Sequence, residues 1–401
     1  MSGAGRRGTG TPAGVLLLSE LFPPAIGGSA ELLWNVYSRI EGFPVAVLTN
    51  DSAAPSPAHD TGSFEIHRRP MTYARWGMLH SKGLARHLRI AAAARRLSPG
   101  ASVVHCARAL PEGLDALLAS VATGRPFICW THGEELAFVR SSRELSWLMN
   151  LVFRRAAAIV ANSRNTLTQL EKAGAPIEQA EVIHPGVDTV RFQPGGEPAR
   201  RLRARLVRPG ELLLLTVGRL QRRKGHDHVI EAMAGMTASH PNLRYLVVGD
   251  GEERAALEQL VAARSLTDRV TFAGSVPASE LPAYYGAADL FVHPNRLDGG
   301  DFEGFGIVFL EAAAAGLPVI GGATGGVPEA VAANRTGLLV SGTCVAELRA
   351  ALARLADSAE LRHSMGQQGR RRAESDFSWG AAAKTITSLH RRITAERRQR
   401  R

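Results

Sequence analysis

The segment DFEGFGIVFLEA, residues 301–312, holds the residue types best suited to chemistry. Glu303 and Glu311 are separated by seven residues, and Gly304 and Gly306 leave backbone amides uncovered between them. We expect Glu303 at the mouth of a helix, and Glu311 about two turns into it on an otherwise apolar segment. A carboxylate there is costly unless it accepts hydrogen bonds, which ribose hydroxyls would supply. A buried glutamate that caps a neighbouring loop is the alternative, and the combined pattern favours a ligand site.

A basic stretch, TVGRLQRRKG, directly follows a hydrophobic run and leads into a helical pattern. Arg219 and Lys224 would lie at the carboxyl end of a strand, beside Gly218, where the backbone can approach a ligand. An arginine fork together with a lysine charge suits a diphosphate leaving group. For Arg222 and Arg223 we favour a solvated basic loop instead.

The loop after the first apolar run contains Gly27 and Gly28 at the start of a helical stretch. Unblocked amides at a helix N-terminus suit a phosphate or a sugar hydroxyl. The loop lacks the Gly-x-Gly-x-x-Gly fingerprint of dinucleotide-binding folds, so a nicotinamide or flavin role loses support. A tight strand-to-helix turn without a ligand explains the two glycines equally well.

Short apolar runs and helical stretches alternate along the chain, which predicts buried parallel strands in doubly wound sheets. We predict strands at residues 15–19, 44–49, 102–106, 126–130 and 158–161, and again at 212–217, 243–248, 270–272, 290–292, 318–320 and 337–340. We predict helices at 29–40, 82–97, 114–121, 144–153, 165–172, 228–236, 254–264, 279–285, 303–315, 327–332, 346–356, 360–374 and 381–398. The fold class is therefore α/β, with two Rossmann-like domains facing a cleft at the carboxyl ends of their strands.

The predicted domain organisation has five parts. They are a flexible N-terminus at 1–13, a first Rossmann-like domain at 14–185, a linker at 186–210, a second Rossmann-like domain at 211–375, and a basic C-terminal helix at 376–401 that packs back on the first domain.

Composition limits the class of protein. With 401 residues, 45% of them hydrophobic and 21% charged, the chain is long enough for two folded domains. No window of eighteen apolar residues predicts a membrane span, and the first residues do not resemble a secretory signal, so we expect a cytoplasmic protein. Three cysteines, Cys106, Cys129 and Cys344, lack the spacing of a disulfide framework or metal site.

The chain carries 48 Lys and Arg against 37 Asp and Glu, a net charge of +11. Such a surface attracts phosphorylated ligands, anionic lipids or nucleic acid. No nucleic-acid-binding motif interleaves aromatic residues with the basic runs, so we expect no nucleic-acid partner.

Five motifs occur in this order along the chain and together resemble those of a known family. They are VIHPGVDxxxF beginning at Val182, VGRL beginning at Val217 and followed by KG at Lys224, VGDG beginning at Val248, VTFAG beginning at Val270, and the pair Glu303 and Glu311. The series is similar to the retaining glycosyltransferases of family 4 (GT4) with the GT-B fold, over about residues 14 to 385. The longer acidic segment RLDGGDFE before the glutamates most resembles the phosphatidylinositol-mannoside mannosyltransferase branch.

The resemblance implies a nucleotide-diphosphate sugar donor carrying GDP or UDP, no cofactor, and one interdomain cleft. It also implies that the domain at 14–185 binds the acceptor and the domain at 211–375 binds the nucleotide sugar. Arg219 and Lys224 would hold the diphosphate, Glu311 the ribose, and Glu303 the donor sugar. The backbone of four residues would also contact the donor sugar: Phe305, Gly306, Ile307 and Val308. Three glycines would line the cleft: Gly27, Gly28 and Gly218.

The motif THGE matches the family position of the active-site histidine, which implies that role for His132. Without the family, a histidine after a strand end is more often a structural hydrogen bonder.

Neither glutamate is placed as a hydrolytic pair, so the expected reaction is front-face transfer with retention. Arg219, Lys224 and helix-end amides would stabilise the leaving diphosphate, which accepts the acceptor's proton. No Asp-x-Asp stretch suggests a required metal. The alternatives are an epimerase or phosphorylase of the same fold, or a protein that binds a nucleotide sugar without turnover. We expect Glu303→Ala and Lys224→Ala to abolish transfer with little change in melting temperature.

Residues 66–97 contain no acidic residue, and residues 82–97 can be drawn as a helix with a broad basic sector. The sector holds Lys82, Arg86, His87, Arg89 and Arg96, with Leu84 and Leu88 on the apolar part. Such a surface predicts reversible contact with an anionic membrane, at the inner face. A solvated helix face is the alternative. The acceptor is left open between a lipid-linked molecule, a glycoside and a small molecule.

Overall fold

A computed structural model describes residues 14–25, 27–51, 64–72, 76–139 and 142–399. The predicted flexible N-terminus at 1–13 lies outside the described residues, as do Tyr73 and Arg75 within the segment 66–97 that contains no acidic residue.

The first domain is built on a seven-stranded parallel sheet of order β3-β2-β1-β4-β5-β6-β7. The strands are β1 (Gly14–Ser19), β2 (Val45–Asn50), β3 (Phe64–Arg69), β4 (Ala101–Cys106), β5 (Phe127–Thr131), β6 (Ala158–Ala161) and β7 (Ala180–Val182). The helices are α1 (Gly28–Tyr37), α2 (Ser81–Leu97), α3 (Glu112–Thr123), α4 (Glu134–Val139), α5 (Arg143–Arg155) and α6 (Arg164–Lys172).

The second domain is built on a six-stranded parallel sheet of order β10-β9-β8-β11-β12-β13. The strands are β8 (Leu212–Val217), β9 (Leu243–Val248), β10 (Val270–Gly274), β11 (Leu290–His293), β12 (Val319–Gly322) and β13 (Gly337–Val340). The helices are α7 (Glu197–Leu206), α8 (His226–Ala234), α9 (Arg254–Ala263), α10 (Leu281–Ala287), α11 (Ile307–Ala314), α12 (Val327–Ala330), α13 (Val345–Asp357), α14 (Ala359–Asp376) and α15 (Trp379–Gln399), the last of which packs on the first domain.

Both sheets confirm the α/β, doubly wound class predicted from the sequence. β1, β4, β5 and β6 are buried along their whole length, as strands covered by helices on both faces should be. In each sheet the strand order reverses beside the first strand, at β1/β4 and at β8/β11. Ligands of such sheets bind at that reversal, outside the carboxyl ends of the strands.

The sequence missed four elements. β3 is an edge strand, FEIHRR, whose apolar alternation is limited to Phe64 and Ile66 and is too short to predict a strand. β7 and α4 have three and six residues, too few for a periodic signal. α7 lies within the stretch that we expected to be a linker, and it packs closely on α10. A Cβ at Gly286 in α10 would lie 3.0 Å from that of Ala199 in α7.

The chain passes between the domains twice, and the two crossings are neighbours. Val187 forms an isolated bridge with Ser378, and its N–H donates to the carbonyl of Phe377 at 2.9 Å. After the second crossing, α15 covers one face of the first sheet, where Trp379, Ile386 and Leu389 are buried.

A chain of buried polar groups also fixes α15 to the first sheet. His390 bonds Ser102 at 2.9 Å and His105 at 3.1 Å, and His105 bonds Tyr37 at 2.6 Å. The helix is thus joined to β4 and α1 by hydrogen bonds as well as by apolar packing.

Candidate active site

The loops that follow β5 and β11 touch each other, and glycines make the contact possible. Gly304 lies so close to the carbonyl oxygen of His132 that a Cβ there would clash with it. A Cβ at Gly133, whose φ is +98°, would lie 2.7 Å from the ring of Phe302. Across the same gap, a Cβ at Gly28 would lie 3.9 Å from Cδ1 of Ile307. The structure therefore brings the glycine loop, the histidine and the start of α11 together between the domains.

Glu303 is the centre of a buried ionic cluster. Its Oε2 accepts hydrogen bonds from Nζ of Lys224 at 2.5 Å, from Nδ2 of Asn295 at 2.9 Å and from Nη1 of Arg223 at 3.1 Å. Burial alone would raise the pKa of Glu303, but the Lys224 and Arg223 cations outweigh it and lower the pKa to about 2. Glu303 is therefore a fixed anion at neutral pH, held by groups from the loops after β8 and β11.

Arg223 corrects an expectation drawn from the sequence. It is not a solvated loop residue, because only 13% of its side chain is exposed. Its Nε lies 2.9 Å from Oδ2 of Asp301, and its Nη1 contacts Glu303. Arg223 thus ties the acidic segment before the glutamate pair to the basic loop after β8.

Arg219 and Lys224 have different surroundings, although both follow β8. Lys224 is 8% exposed and lies in a short 3₁₀ turn over residues Arg222–Lys224. Arg219 is exposed, and the described part of the chain gives its side chain no ion pair. A guanidinium in that state is available to an anion without breaking an existing contact. Gly218 lies beneath it, where a Cβ would be 3.4 Å from Cε1 of His293.

α11 begins later than the sequence suggests. Gly306 is its N-cap, with a left-handed φ of +88°, and Ile307 is its first residue. Glu303 therefore lies in the loop before the helix rather than at its mouth, and Glu311 is about one turn into it, not two. The reason is Gly306, because glycine adopts the left-handed conformation without steric cost and breaks the helix there.

Glu311 belongs to a second group of residues. Its Oε2 accepts a hydrogen bond from the hydroxyl of Tyr285 at 2.6 Å. Burial raises the pKa of Glu311 to about 7, against the lowering effect of that hydrogen bond. Arg191 and Glu31 are the other charged groups that act on it. A carboxyl with so high a pKa can gain or lose its proton near neutral pH, and donors of hydrogen bonds would favour its ionised form.

His132 follows β5 and is 6% exposed. Its backbone N–H donates to the carboxylate of Glu135 at 3.1 Å, and its carbonyl accepts from Nδ2 of Asn162 at 3.2 Å. The imidazole is nearly parallel to the indole of Trp130, at 13° with 6.4 Å between ring centres. In the described structure Nε2 is buried without a hydrogen-bond partner, whereas buried polar atoms normally have one. The backbone is therefore fixed, and the ring nitrogen can form a hydrogen bond with a ligand.

Two site residues were missed from the sequence. Asn295 holds Glu303, and His293, the last residue of β11, lies under the same cluster. Burial and the nearby Lys224 lower the pKa of His293, so its ring is neutral. Both residues lie at or just after the carboxyl end of a buried strand. The same position led us to predict Arg219 as a site residue, so it could have identified these two as well.

Two parallel α/β domains that face each other across this cleft have the architecture of the GT-B fold. The family model "Glycosyltransferase Family 4" matches residues 35–191, and "Glycosyl transferases group 1" matches residues 200–372. The chain belongs to glycosyltransferase family 4, which confirms the resemblance drawn from its motifs. It is a transferase that uses a nucleotide-sugar donor.

Relatives span almost the whole chain. A GDP-mannose-dependent alpha-(1-6)-phosphatidylinositol monomannoside mannosyltransferase of Mycobacterium tuberculosis is 30% identical over 399 residues, 96% of this chain and 99% of the relative. A D-inositol 3-phosphate glycosyltransferase of Pseudarthrobacter chlorophenolicus is 36% identical over 59% of this chain and 56% of the relative.

Solved structures share the fold. Sucrose-phosphate synthase of Thermosynechococcus elongatus superimposes with a TM-score of 0.79 at 24% identity, covering 96% of this chain and 100% of that structure. Anabaena HepE in complex with UDP and glucose also gives 0.79, at 20% identity, covering 94% of this chain and 98% of that structure.

Proposed function

We propose that this enzyme transfers mannose from GDP-mannose to an acceptor hydroxyl with retention of anomeric configuration. The observation that carries the proposal is the Lys224–Glu303 pair at the carboxyl end of β8, next to the exposed Arg219. One place then offers a carboxylate for sugar hydroxyls and cations for a diphosphate. GDP-mannose is preferred over a UDP-hexose because the full-length relative is a GDP-mannose-dependent enzyme.

Each residue has a distinct part in the proposed reaction. The ammonium of Lys224 has three N–H donors, so it can bond Glu303 and still donate to the diphosphate. Arg219 binds the same phosphates, and the first amides of α11 add partial positive charge. Glu303 accepts from the hydroxyls of the donor sugar, while Glu311 accepts from the ribose hydroxyls.

Transfer itself breaks the bond between the anomeric carbon and the phosphate oxygen. The acceptor oxygen forms the new bond on the same face, and its proton passes to the leaving phosphate. His132 contacts the reacting sugar through its ring nitrogen. The cations stabilise the charge that develops on the diphosphate, a role that typically contributes a rate factor of about 10² to 10³ for each donor. We propose that no divalent metal is required, because these cations neutralise the leaving group.

The acceptor proposed here is lipid-linked and is presented at an anionic membrane. α2, α3 and α5 form one layer on the first domain, and its exposed charges are basic. The exposed cations are Lys82, Arg89, Arg95 and Arg96 on α2 and Arg143, Arg154 and Arg155 on α5. Large apolar side chains are exposed on or next to the layer: Leu79, just before α2, is 87% exposed, Val121 on α3 73%, Trp147 on α5 64% and Leu88 on α2 53%.

The acidic residues of the layer point elsewhere. Asp115 is buried against His87 at 2.8 Å, and Glu112 is buried against Arg108. Glu144 accepts hydrogen bonds from the backbone N–H groups of the loop before α2. The sequence had placed His87 in the basic sector, but its side chain is buried and does not join that sector. Leu88, which was expected on the apolar part of the same surface, is exposed. No helix in the described residues is long and apolar enough to cross a membrane. The contact that we propose is peripheral and is made by the basic layer.

Donor, stereochemistry and metal are tested in one series of assays. GDP-mannose, GDP-glucose, UDP-glucose and UDP-galactose are each supplied with a phosphatidylinositol mannoside, and nucleotide release is measured with and without EDTA. We expect release with GDP-mannose alone, unaffected by EDTA, and an α-linked product by NMR. An inverted product, release only with a UDP-sugar, or loss of activity in EDTA would each contradict the corresponding part of the proposal.

Membrane contact is tested by co-sedimentation with neutral and anionic vesicles. We expect binding to anionic vesicles that weakens as salt rises. Replacing Arg95 and Arg96 with Gln should weaken binding about thirtyfold, at about 1 kcal/mol for each cation near the surface. Trp147→Ser should also weaken it, whereas Val190→Ser, at a 77% exposed residue outside this layer, should not. Equal recovery in the supernatant with both vesicle types at low salt would favour a soluble acceptor.

A further inference from the structure

The carboxylate of Glu329, on α12 of the second domain, contacts the first domain. Its Oε2 accepts a hydrogen bond from the backbone N–H of Arg164 at 2.9 Å, and its Oε1 accepts from that of Asn165 at 3.0 Å. These are the first two residues of α6. The Nε2 of His184 lies 2.8 Å from Oε2 of the same carboxylate. One side chain of the second domain thus completes a helix terminus of the first.

The contact satisfies groups that the first domain cannot satisfy by itself. The first N–H groups of a helix have no partner within the helix. The hydroxyl of Ser163, the N-cap, accepts from the N–H of Thr166, and Glu329 accepts from the two preceding N–H groups. A carboxylate is also favoured at the positive end of a helix. Burial alone would raise the pKa of Glu329, but His184 and the two amides lower it.

The contact lies beside the two places where the chain passes between domains. His184 precedes the first crossing, and its ring centre is 5.3 Å from that of Phe305 and 6.2 Å from that of Phe377. Arg372 donates to the carbonyl of Glu329 at 2.7 Å, and its guanidinium lies 4.7 Å above the ring of Phe377. The backbone of Glu329 is therefore held by α14, while its carboxylate reaches across to α6.

We propose that Glu329 is a positioning residue that latches the two domains in the arrangement where Gly304 contacts His132. The effect of Glu329 on catalysis rests on the proposed reaction, because the latch acts by bringing Glu303 and His132 together. Hydrogen bonds to a charged acceptor are typically strong enough to shift a two-state equilibrium about tenfold or more. Loss of the latch should therefore favour an open form in which His132 of the first domain is separated from Glu303 of the second.

Three variants test the latch. Glu329→Gln keeps the shape of the side chain and removes its charge. Arg164→Pro removes one donor without touching Glu329, and proline is tolerated at the first position of a helix. The preceding Ser163 is already extended, with φ −157° and ψ 161°, as a residue before proline should be. The matched control is Glu347→Gln, because Glu347 accepts from the N–H of Ser341 at 2.8 Å within one domain.

Two measurements do not depend on catalysis. Hydrogen exchange at the amides of Arg164 and Asn165 should be slow in the unaltered protein and at least about tenfold faster in Glu329→Gln. Small-angle scattering should show a larger radius of gyration for Glu329→Gln and for Arg164→Pro. Both quantities should be unchanged in Glu347→Gln. Circular dichroism and melting curves establish that each variant is folded before it is compared.

Catalytic assays complete the test. Glu329→Gln should lower kcat about tenfold or more and leave the affinity for GDP within a factor of two, because the nucleotide contacts lie in the second domain. The latch is refuted if these amides exchange equally fast in the unaltered protein and the variant, or if scattering and kcat are unchanged. If exchange and scattering change as expected but the unaltered protein transfers no sugar, the latch stands and the proposed function fails.

Discussion

Replacing Lys224 with methionine tests the ionic cluster most directly. Methionine keeps the length of the aliphatic chain and removes the ammonium that lies 2.5 Å from Glu303. The carboxylate is not left alone, because Arg223 at 3.1 Å and Asn295 at 2.9 Å still donate to it. The substitution therefore removes one charge-assisted hydrogen bond rather than orphaning a buried charge.

The expected loss of stability follows from that distinction. One charge-assisted hydrogen bond contributes about 1.5–3 kcal/mol, less than the 3–5 kcal/mol or so typical of an uncompensated buried charge. For a domain of this size we expect a melting temperature lower by about 3–12 °C. The pKa of Glu303, about 2 when folded against 4.5 for the free side chain, should rise. In the unaltered protein this carboxylate stabilises the fold above about pH 4.5, and the stabilisation is lost as the pH falls toward 2. In Lys224→Met the loss should begin at the same pH, which the free side chain sets, but it should be smaller and should end at a higher pH.

The effect of Lys224→Met on kcat should be larger, in free energy, than its effect on the stability of the fold. Loss of one donor to the leaving diphosphate lowers kcat by about 10² to 10³. Scanning calorimetry between pH 3 and 7 and nucleotide-release assays measure the two effects, with the exposed Lys172→Met as the matched control. A variant that retains near-normal kcat would show that Lys224 does not contact the leaving group. A melting temperature equal to that of the control would show that the ion pair does not stabilise the fold.

Three further predictions concern single residues. Affinity for GDP should rise about tenfold between pH 6 and pH 8, because Glu311 has a pKa of about 7 and ribose hydroxyls favour its ionised form. Titration calorimetry should find no such rise in Glu311→Gln, and a pH-independent affinity in the unaltered protein would remove Glu311 from the ribose site. Arg219→Ala should weaken GDP binding with no change in melting temperature, since its side chain is exposed; equal affinity by calorimetry would exclude a phosphate contact. His132→Ala should lower kcat while GDP affinity is kept, and unaltered single-turnover rates would assign His132 a structural role only.

Much of the fold could be predicted because buried parallel strands are apolar along their whole length. β8 and β9 have the bounds expected from the sequence, and β11 and β12 begin or end within one or two residues of expectation. The sequence did not predict elements that are defined by their tertiary contacts. β3 is defined by pairing with β2, and α7 by packing on α10.

The site was less predictable, because composition does not tell which of several adjacent cations is buried. Arg222 and Arg223 are neighbours of one type, yet Arg223 is turned toward Asp301 and Glu303. The expectation of an unchanged melting temperature for Lys224 and Glu303 variants must therefore be revised. It assumed isolated side chains in a cleft, whereas the structure places both in one buried ionic cluster.

The position of α15 has a consequence for the order in which the chain folds during synthesis. Trp379, Ile386 and Leu389 complete one side of the first sheet, although more than 175 residues separate them from β7. As the chain leaves the ribosome, the second domain is contiguous and can close its own core first. The first domain must wait with an apolar face uncovered until α15 has been made. A nascent chain stalled within α14 should therefore present that face to chaperones and proteases, even though the strands of both sheets are already synthesised.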